Sequence, residues 1–404
     1  MSASRRYKID NSDKNILSRH KLYHNKAIKN REYKMNSIPF QKNCKVVIIG
    51  AGLAGLSCAS KLIDSNVNCI VVEKNSPGGF LNIGGVKISL LPAGAATANI
   101  IGFNNYVSYQ KKFFETIKPY LTHVSNKKID YLGIHKVKTY DSFLLNNHQN
   151  YTSTLLHKIK AIYHEEIVNI KKVNNFYILN LKNGGIIKCE AVVIATGRDA
   201  SLVEYLKQLG QIYLYENNAI VGCRAVFNAK ESNKIYKQQL DYKIKSDCGF
   251  QTYCFNYKGD LHWYKYNDKD VVSGIINRNA ANGNIMIGKK IIINNNFLQL
   301  LNSPQIITQG QLDSFIRQTC PQIIGLSNFA QDVEAILGTN FTSYHFPALE
   351  QFWNKPIIKS SFESTTLKNI YFCGDASGVS FGFTQSFVTG HFVADQLLRS
   401  TCNS

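Results

Sequence analysis

Residues 45–73 read KVVIIGAGLAGLSCASKLIDSNVNCIVVE. The apolar β-formers Val46, Val47, Ile48 and Ile49 run straight into a glycine turn, and Leu53, Leu56, Ala59 and Leu62 then recur at helical spacing. A second strand is predicted over Val67–Val72, ending on Glu73. Each part suits the binding of a dinucleotide. Gly50 lets the chain turn tightly out of the strand, Gly52 lets the backbone approach a pyrophosphate, and Gly55 lets the helix pack near the strand. The run Gly50, Ala51, Gly52, Leu53, Ala54, Gly55 then opens a helix whose first N–H groups and positive dipole end face phosphate. Glu73 lies 18 residues after Gly55, where a carboxylate accepts from two ribose hydroxyls and repels a 2′-phosphate; Lys74 follows it. A lone GxGxxG also occurs in βαβ units that bind nothing. Strand, glycines, helix, strand and acid in register are far more specific.

NAD and FAD share an ADP half, so this fingerprint does not separate them; two later stretches do. Residues 191–198 read AVVIATGR, a buried strand ending in a small tight turn at Thr196 and Gly197. Residues 369–390 read NIYFCGDASGVSFGFTQSFVTG, another buried strand, then Gly374-Asp375, then a helix. A flavin carries a ribityl chain that NAD lacks, and a carboxylate at a strand end holds its hydroxyls. Gly378, Gly382, Ser386, Gly390 and Ala394 form a small-residue stripe at four-residue spacing. The stripe permits close approach to another backbone, and plain helix packing also explains it.

GAGLAG, Glu73, ATGR and GDASG resemble the flavoproteins whose FAD domain is split across the sequence. The resemblance implies FAD as cofactor, with Gly50, Gly52, Gly55 and Glu73 on its ADP half and Thr196 and Gly197 beside it. It implies Asp375 on the ribityl chain and Phe383 and Thr384 near the flavin. It sets the backbone of Glu166, Ile167 and Val168 against the adenine, and brings Gly79, Lys87 and Pro92 along the flavin. Within that superfamily the middle of the chain is similar to bacterial FAD-dependent dehydrogenases of the FAD-dependent protein C type. The matching pieces are VGCRAVF (Val221–Phe227), LDYKIK (Leu240–Lys245), FQTYCFNYKGDLHW (Phe250–Trp263), VVSG (Val271–Gly274) and the terminal GFTQSFVTG.

The expected fold is α/β: a Rossmann-type FAD-binding domain assembled from both chain ends, with an inserted α+β substrate or cap domain. Residues 1–44 carry eleven Lys or Arg against three Asp or Glu and no apolar core, and read as a basic, disordered N-terminal extension rather than a secretory signal. Met35 stands as an alternative start. Residues 45–200 form the first part of the FAD-binding domain, 201–365 the substrate or cap domain, and 366–404 the C-terminal part of the FAD-binding domain. Residues 101–160 read as helical, with Phe113, Ile117 and Leu121 on one stripe. Residues 161–197 read as strand, turn, strand, turn, strand, with a hairpin at Lys182-Asn183-Gly184-Gly185. In the insert, helices are expected near Gln311–Thr319 and Val333–Leu337.

A chain of 404 residues suits two or three domains. Its ten Cys form no CxxC and no Cys/His cluster at zinc spacing, so no metal site is expected and a reducing compartment is the simplest reading. No apolar run approaches the roughly 20 residues that span a bilayer. The expected location is the cytoplasm, or an organelle if the source is eukaryotic. With 47 Lys and Arg against 27 Asp and Glu the net charge is +20, which admits a nucleic-acid partner. The basic residues are spread along the chain rather than gathered, which favours a general composition bias.

The expected activity is an FAD-dependent oxidoreductase, a dehydrogenase or reductase exchanging a hydride with a small metabolite. There is no second GxGxxG, so no stable NADPH domain is expected, and the electron donor or acceptor stays open. Three alternatives stand beside it: an RNA-modifying flavoprotein, a flavin monooxygenase and a non-catalytic flavin-binding protein. Catalytic candidates in the insert are Arg224, as a carboxylate clamp, and Tyr253 or His262, as proton relays. Cys254, Arg278 and His345 are further polar candidates there.

Overall fold

Strands drawn from both halves of the sequence line up in one five-stranded parallel sheet, in the order Ile370–Phe372, Ala191–Ile194, Val46–Ile49, Cys69–Glu73, Ala161–Tyr163. This computed structural model describes residues 41–82, 86–90, 93–123, 131–132, 135–139, 142–145, 148–159, 161–163, 165–215, 218–231, 242–266, 269–292, 304–351 and 353–402. The strands Val46–Ile49 and Ala191–Ile194 are buried at every position, as a parallel sheet covered on both faces demands of its centre. The second strand starts at Cys69 rather than the expected Val67. The Val67 N–H donates to Leu62 O (2.9 Å), so Val67 closes the preceding helix before the strand begins.

The helix Leu53–Asp64 packs against the final helix Phe383–Cys402. A side chain at Gly390 would overlap Ser57 Oγ and the Ala54 carbonyl. Of the small-residue stripe, Gly390 is where the two helices touch, whereas Gly378 and Gly382 precede the final helix and face Lys355 and Gln385. Ser57 Oγ donates to Ala54 O (3.0 Å) and to Phe387 O (3.4 Å) across this contact.

The insert is dominated by an eight-stranded antiparallel sheet in the order Gln305–Ile307, Phe341–Glu350, Asn218–Asn228, Asn282–Ile292, Phe250–Asn256, Tyr242–Lys245, His135–Thr139, Tyr131–Leu132. Side chains alternate between its two faces. Cys223, Ala225, Phe227, Ile285 and Ile287 meet the helices Gln309–Thr319 and Leu326–Leu337 through Leu312, Ile316, Phe329 and Val333. Ile220, Tyr253 and Met286 meet a two-stranded ribbon, Gly259–Tyr266 with Lys269–Ile276, through Val272, Leu261 and Trp263.

Three expectations are corrected. Residues 101–160 are not helical throughout. The helix Phe103–Ile117 buries Phe113 and Ile117, but Pro119 has no N–H to donate and the chain passes through a short 3-10 turn, Lys118–Tyr120. Leu121 then starts the strand Leu121–His123. The later strand His135–Thr139, inside the range expected for the FAD-binding part, pairs with Tyr242–Lys245 of the large sheet. Gln41–Asn43, expected within the extension, forms a parallel strand with Ile186–Cys189. The hairpin turn itself lies where expected. Gly184 has φ +87°, whereas Asn183 acts through its side chain, accepting the Gly185 N–H (2.9 Å). Met35 and His164 lie outside the described residues. Among the described residues no helix is long and apolar enough to cross a membrane.

Candidate functional site

The tips of the parallel strands and the start of the first helix form a groove built on glycines with different jobs. Gly50 has φ +105°, and a side chain there would overlap the Ala195 carbonyl on the neighbouring strand. A side chain at Gly55 would overlap the Gly50 carbonyl, so helix and turn are in backbone contact. Gly52 is different: a Cβ added there would meet no heavy atom within 4 Å. It is the N-cap of the helix Leu53–Asp64, and no side chain caps that end. The N–H end of a buried helix thus faces open space, the arrangement that suits an anionic group.

Ala51, Leu53 and Ala54 are buried around this turn. The Glu73 carboxylate accepts from the Ala51 N–H at Oε2 (2.7 Å) and from the Asn75 N–H at Oε1 (2.8 Å), which aims it beside the loop. Lys74 pairs with Asp199. Glu165 N–H donates to Glu73 O (3.1 Å), which brings the backbone before the buried Ile167 up to the same strand end. Gly78 N–H donates to Ala51 O (2.7 Å), and a Cβ at Gly79 would lie 3.5 Å from Gly52 Cα, so this loop borders the open space.

The opposite lip comes from the far end of the sequence. Cys373 N–H donates to Ile194 O (3.1 Å), and Gly374 N–H donates to Thr389 Oγ1 (2.9 Å). Gly374 has φ +62°, and a Cβ there would lie 2.8 Å from Ala54 Cβ. The Gly374-Asp375 turn therefore rests on the first turn of the fingerprint helix. Gly197, with φ +65°, also has nothing within 4 Å of an added Cβ, and Thr196 Oγ1 donates to Asp199 O (2.8 Å). Thr384 Oγ1 donates to Ser89 O (2.9 Å), and Phe383 packs with Leu53 and Phe387. Lys87 Nζ donates to Phe255 O (2.9 Å) on the large sheet. Pro92 lies outside the described residues.

A cluster that sequence reasoning missed stands where this groove meets the large sheet. Arg198 Nε donates to Asp375 Oδ2 (3.2 Å) and Nη2 to Glu350 Oε2 (3.4 Å). Its guanidinium stacks on the Phe80 and Trp353 rings, 5.2 and 5.3 Å from their centroids. Trp353 Nε1 donates to Asp375 O (2.7 Å). Burial pushes the Asp375 carboxyl above the usual carboxylate range, although Arg198 opposes it. Tyr264, from the ribbon, lies beside Arg198 and is pushed up to about 12 by burial. Arg198 Nη1 and Tyr264 OH are buried and make no hydrogen bond. Arg198 was in view as the last letter of ATGR. Its two carboxylate partners lie more than 150 positions away, a pairing that no local pattern encodes.

The catalytic candidates fall elsewhere. Arg224 is 1% exposed and its guanidinium is committed to the sheet, with Nε on Asn284 Oδ1 and Nη2 on Cys254 O (2.7 Å each). A side chain at Gly274 would overlap this guanidinium, so Arg224 lies directly under the ribbon and does not stand as a carboxylate clamp. Tyr253 is buried on the same face, and burial raises its phenol above the ordinary range. His262 is half-buried in the ribbon, paired in register with Ser273. Cys254 adopts φ +46° at an irregularity of the sheet, and Arg278 is exposed. His345 Nε2 bonds Ser343 Oγ (2.9 Å), and burial lowers its pKa to about 4.

Residues 44–205 match the family model described as pyridine nucleotide-disulphide oxidoreductase. No curated protein matches the chain. Among solved structures, the chain is similar to a geranylgeranyl bacteriochlorophyll reductase-like protein from Thermoplasma acidophilum. The identity is 11%, with 90% of this chain and 80% of that one covered and a TM-score of 0.50. A flavoprotein/dehydrogenase from Cytophaga hutchinsonii aligns at 12% identity, covering 90% and 80%, with a TM-score of 0.47. The family model covers less than half of the chain, and the first of these structures shows a shared fold. FAD is the cofactor that the sequence resemblance implies for this site. The groove fits that group: an open cradle over Gly52 and Gly197, an uncapped helix end, and an orphaned donor at Arg198 Nη1.

Proposed function

We propose that FAD lies along the groove and that the chain exchanges a hydride between the flavin and a small apolar or carboxylate-bearing metabolite. The observation that carries this reading is the seating of the Gly374-Asp375 turn, so near Ala54 that an added Cβ at Gly374 would lie 2.8 Å from Ala54 Cβ, beside the open Gly52 cradle. Gly50, Ala51, Gly52, Leu53, Ala54 and Gly55 would hold the pyrophosphate on the helix end, and Glu73 would take the ribose hydroxyls. Lys74, Gly79, Ile167, Thr196 and Gly197 would border the ADP half, Asp375 would accept from the ribityl hydroxyls, and Phe383 and Thr384 would lie near the ring. Flavin supplies the two-electron chemistry; the protein supplies position and exclusion of water. The substrate would meet the large sheet and its ribbon, which in this reading form a substrate domain over residues 201–365 joined by 131–139. Nine free cysteines among the described residues support a reducing, cytoplasmic setting.

The test is spectroscopic. The purified protein is expected to be yellow with flavin absorption bands, and to bleach when a donor metabolite is added without oxygen. A colourless protein that takes up no added FAD would reject the reading.

A further inference from the structure

Arg198 gathers residues from three parts of the chain. Asp375 comes from the C-terminal turn, Glu350 ends the strand Phe341–Glu350 of the large sheet, and Phe80 belongs to the loop beside Gly79. The balance of charge is uneven: two carboxylates share one guanidinium, and the whole lies in a half-buried to buried setting. Among these groups Arg198 Nη1 is left without an acceptor. A phosphate beside a polyhydroxylated chain supplies one, and the hydroxyls of that chain can donate to the carboxylate. We propose that Arg198 is a positioning residue for the cofactor: it keeps the Asp375 carboxylate ionised and aimed at the ribityl hydroxyls, with Glu350 and Trp353 holding Arg198 in turn. This rests on the assignment of Asp375 to the ribityl chain.

The groups facing Asp375 set the sign of each effect. Arg198 stabilises its charged form, and so does the Gly382 N–H from the loop before the last helix. Glu350 disfavours that form from the large sheet. The neutral Tyr264 stands on the ribbon side, and Trp353 bonds the Asp375 backbone. Lys355 packs on Gly378, three residues further along, with its ammonium over the Phe381 ring.

The experiment measures FAD affinity of the full chain by flavin fluorescence from pH 5 to 9, for the wild type, R198Q, R198K, E350Q and R198Q/D375N. Affinity is expected to fall as pH drops through the Asp375 titration. R198Q moves that midpoint up by about one pH unit, so binding at pH values below both midpoints weakens about tenfold. E350Q moves it down, because one opposing negative charge is gone. R198K keeps the charge and stays near the wild-type midpoint, and R198Q/D375N shows no such titration. Equal weakening at every pH in R198Q and E350Q, with no shift of midpoint, would overturn the positioning role and leave the flavin reading standing. A wild type that binds no FAD at any pH would remove both. If R198Q does not fold, the downward shift in E350Q carries the decision alone.

Discussion

The groove and the large sheet solve the problem of close packing in different ways. Around the groove, chain segments approach through missing side chains: Gly50 against Ala195, Gly55 against Gly50, Gly374 against Ala54, Gly390 against Ser57. On the ribbon side of the large sheet glycine also allows close approach, Gly274 against Arg224, but the space there is filled by apolar side chains and a buried polar network. Arg224 binds Asn284 and the Cys254 carbonyl, Asn256 bonds the same Asn284 oxygen (3.0 Å), and Asn284 reaches the Asp260 carbonyl (3.3 Å). The first arrangement leaves room for a ligand where a glycine meets nothing. The second leaves none at Arg224. A glycine that touches backbone and a glycine that touches nothing therefore differ in kind, although the sequence writes them with one letter.

The sharpest way to break this comparison is to substitute both kinds. Gly390→Leu drives a side chain into Ser57 and Ala54 and is expected to destabilise the fold by about 3 kcal/mol or more, read by urea unfolding. Gly52→Leu is expected to unfold within about 0.5 kcal/mol of the wild type. It should lose FAD affinity by about a hundredfold, because it fills the cradle that a phosphate needs. Equal stability losses in the two variants would erase the distinction. In the large sheet, Arg224→Met strips the donors from Asn284 and Cys254 O and is expected to cost about 2 kcal/mol of stability, while FAD affinity stays within about twofold. A large loss of FAD binding with no loss of stability would move Arg224 into the cofactor site.

The smallest expected effect is a pH dependence. His345 in the large sheet and His391 in the final helix both have pKa values lowered to about 4, each chiefly by burial. The native state holds them neutral, whereas the unfolded chain protonates them near pH 6.5. Stability is therefore largely complete above about pH 6.5 and falls below it, by about 1 kcal/mol for each ring between pH 6.5 and 5.5. His391→Phe, packed as His391 is against Phe387 at 4.1 Å, is expected to remove its share of that slope in pH-dependent thermal unfolding.

The parallel sheet and its glycine loop were legible in the sequence because their signals are local. Val46–Ile49 announces itself as a strand buried on both faces, and the spacing from Gly50 to Glu73 lies within one βαβ unit. The pairing of Asp375 with the loop followed from a second short signal, GDASG. The Arg198 cluster was illegible for the opposite reason: Arg198, Glu350, Trp353 and Tyr264 are ordinary letters that become a site only through three-dimensional proximity. Arg224 illustrates the same gap from the other side. An arginine in a strand reads as a clamp until Gly274 is found lying on it. The helical reading of residues 101–160 failed at Pro119, where one residue without an N–H ended a periodicity that the apolar letters still carried to Leu121.

The strand Ile370–Phe372, beside Ala191–Ile194, has a consequence for biosynthesis. A ribosome must synthesise the whole of the large sheet before this strand emerges, so the nascent chain carries a half-built groove until residues 370–402 are made. A product terminated before Ile370 would hold the phosphate loop but neither Asp375 nor the helix that covers it. In such a fragment the Ala191–Ile194 edge would lack the neighbour that covers it in the full chain.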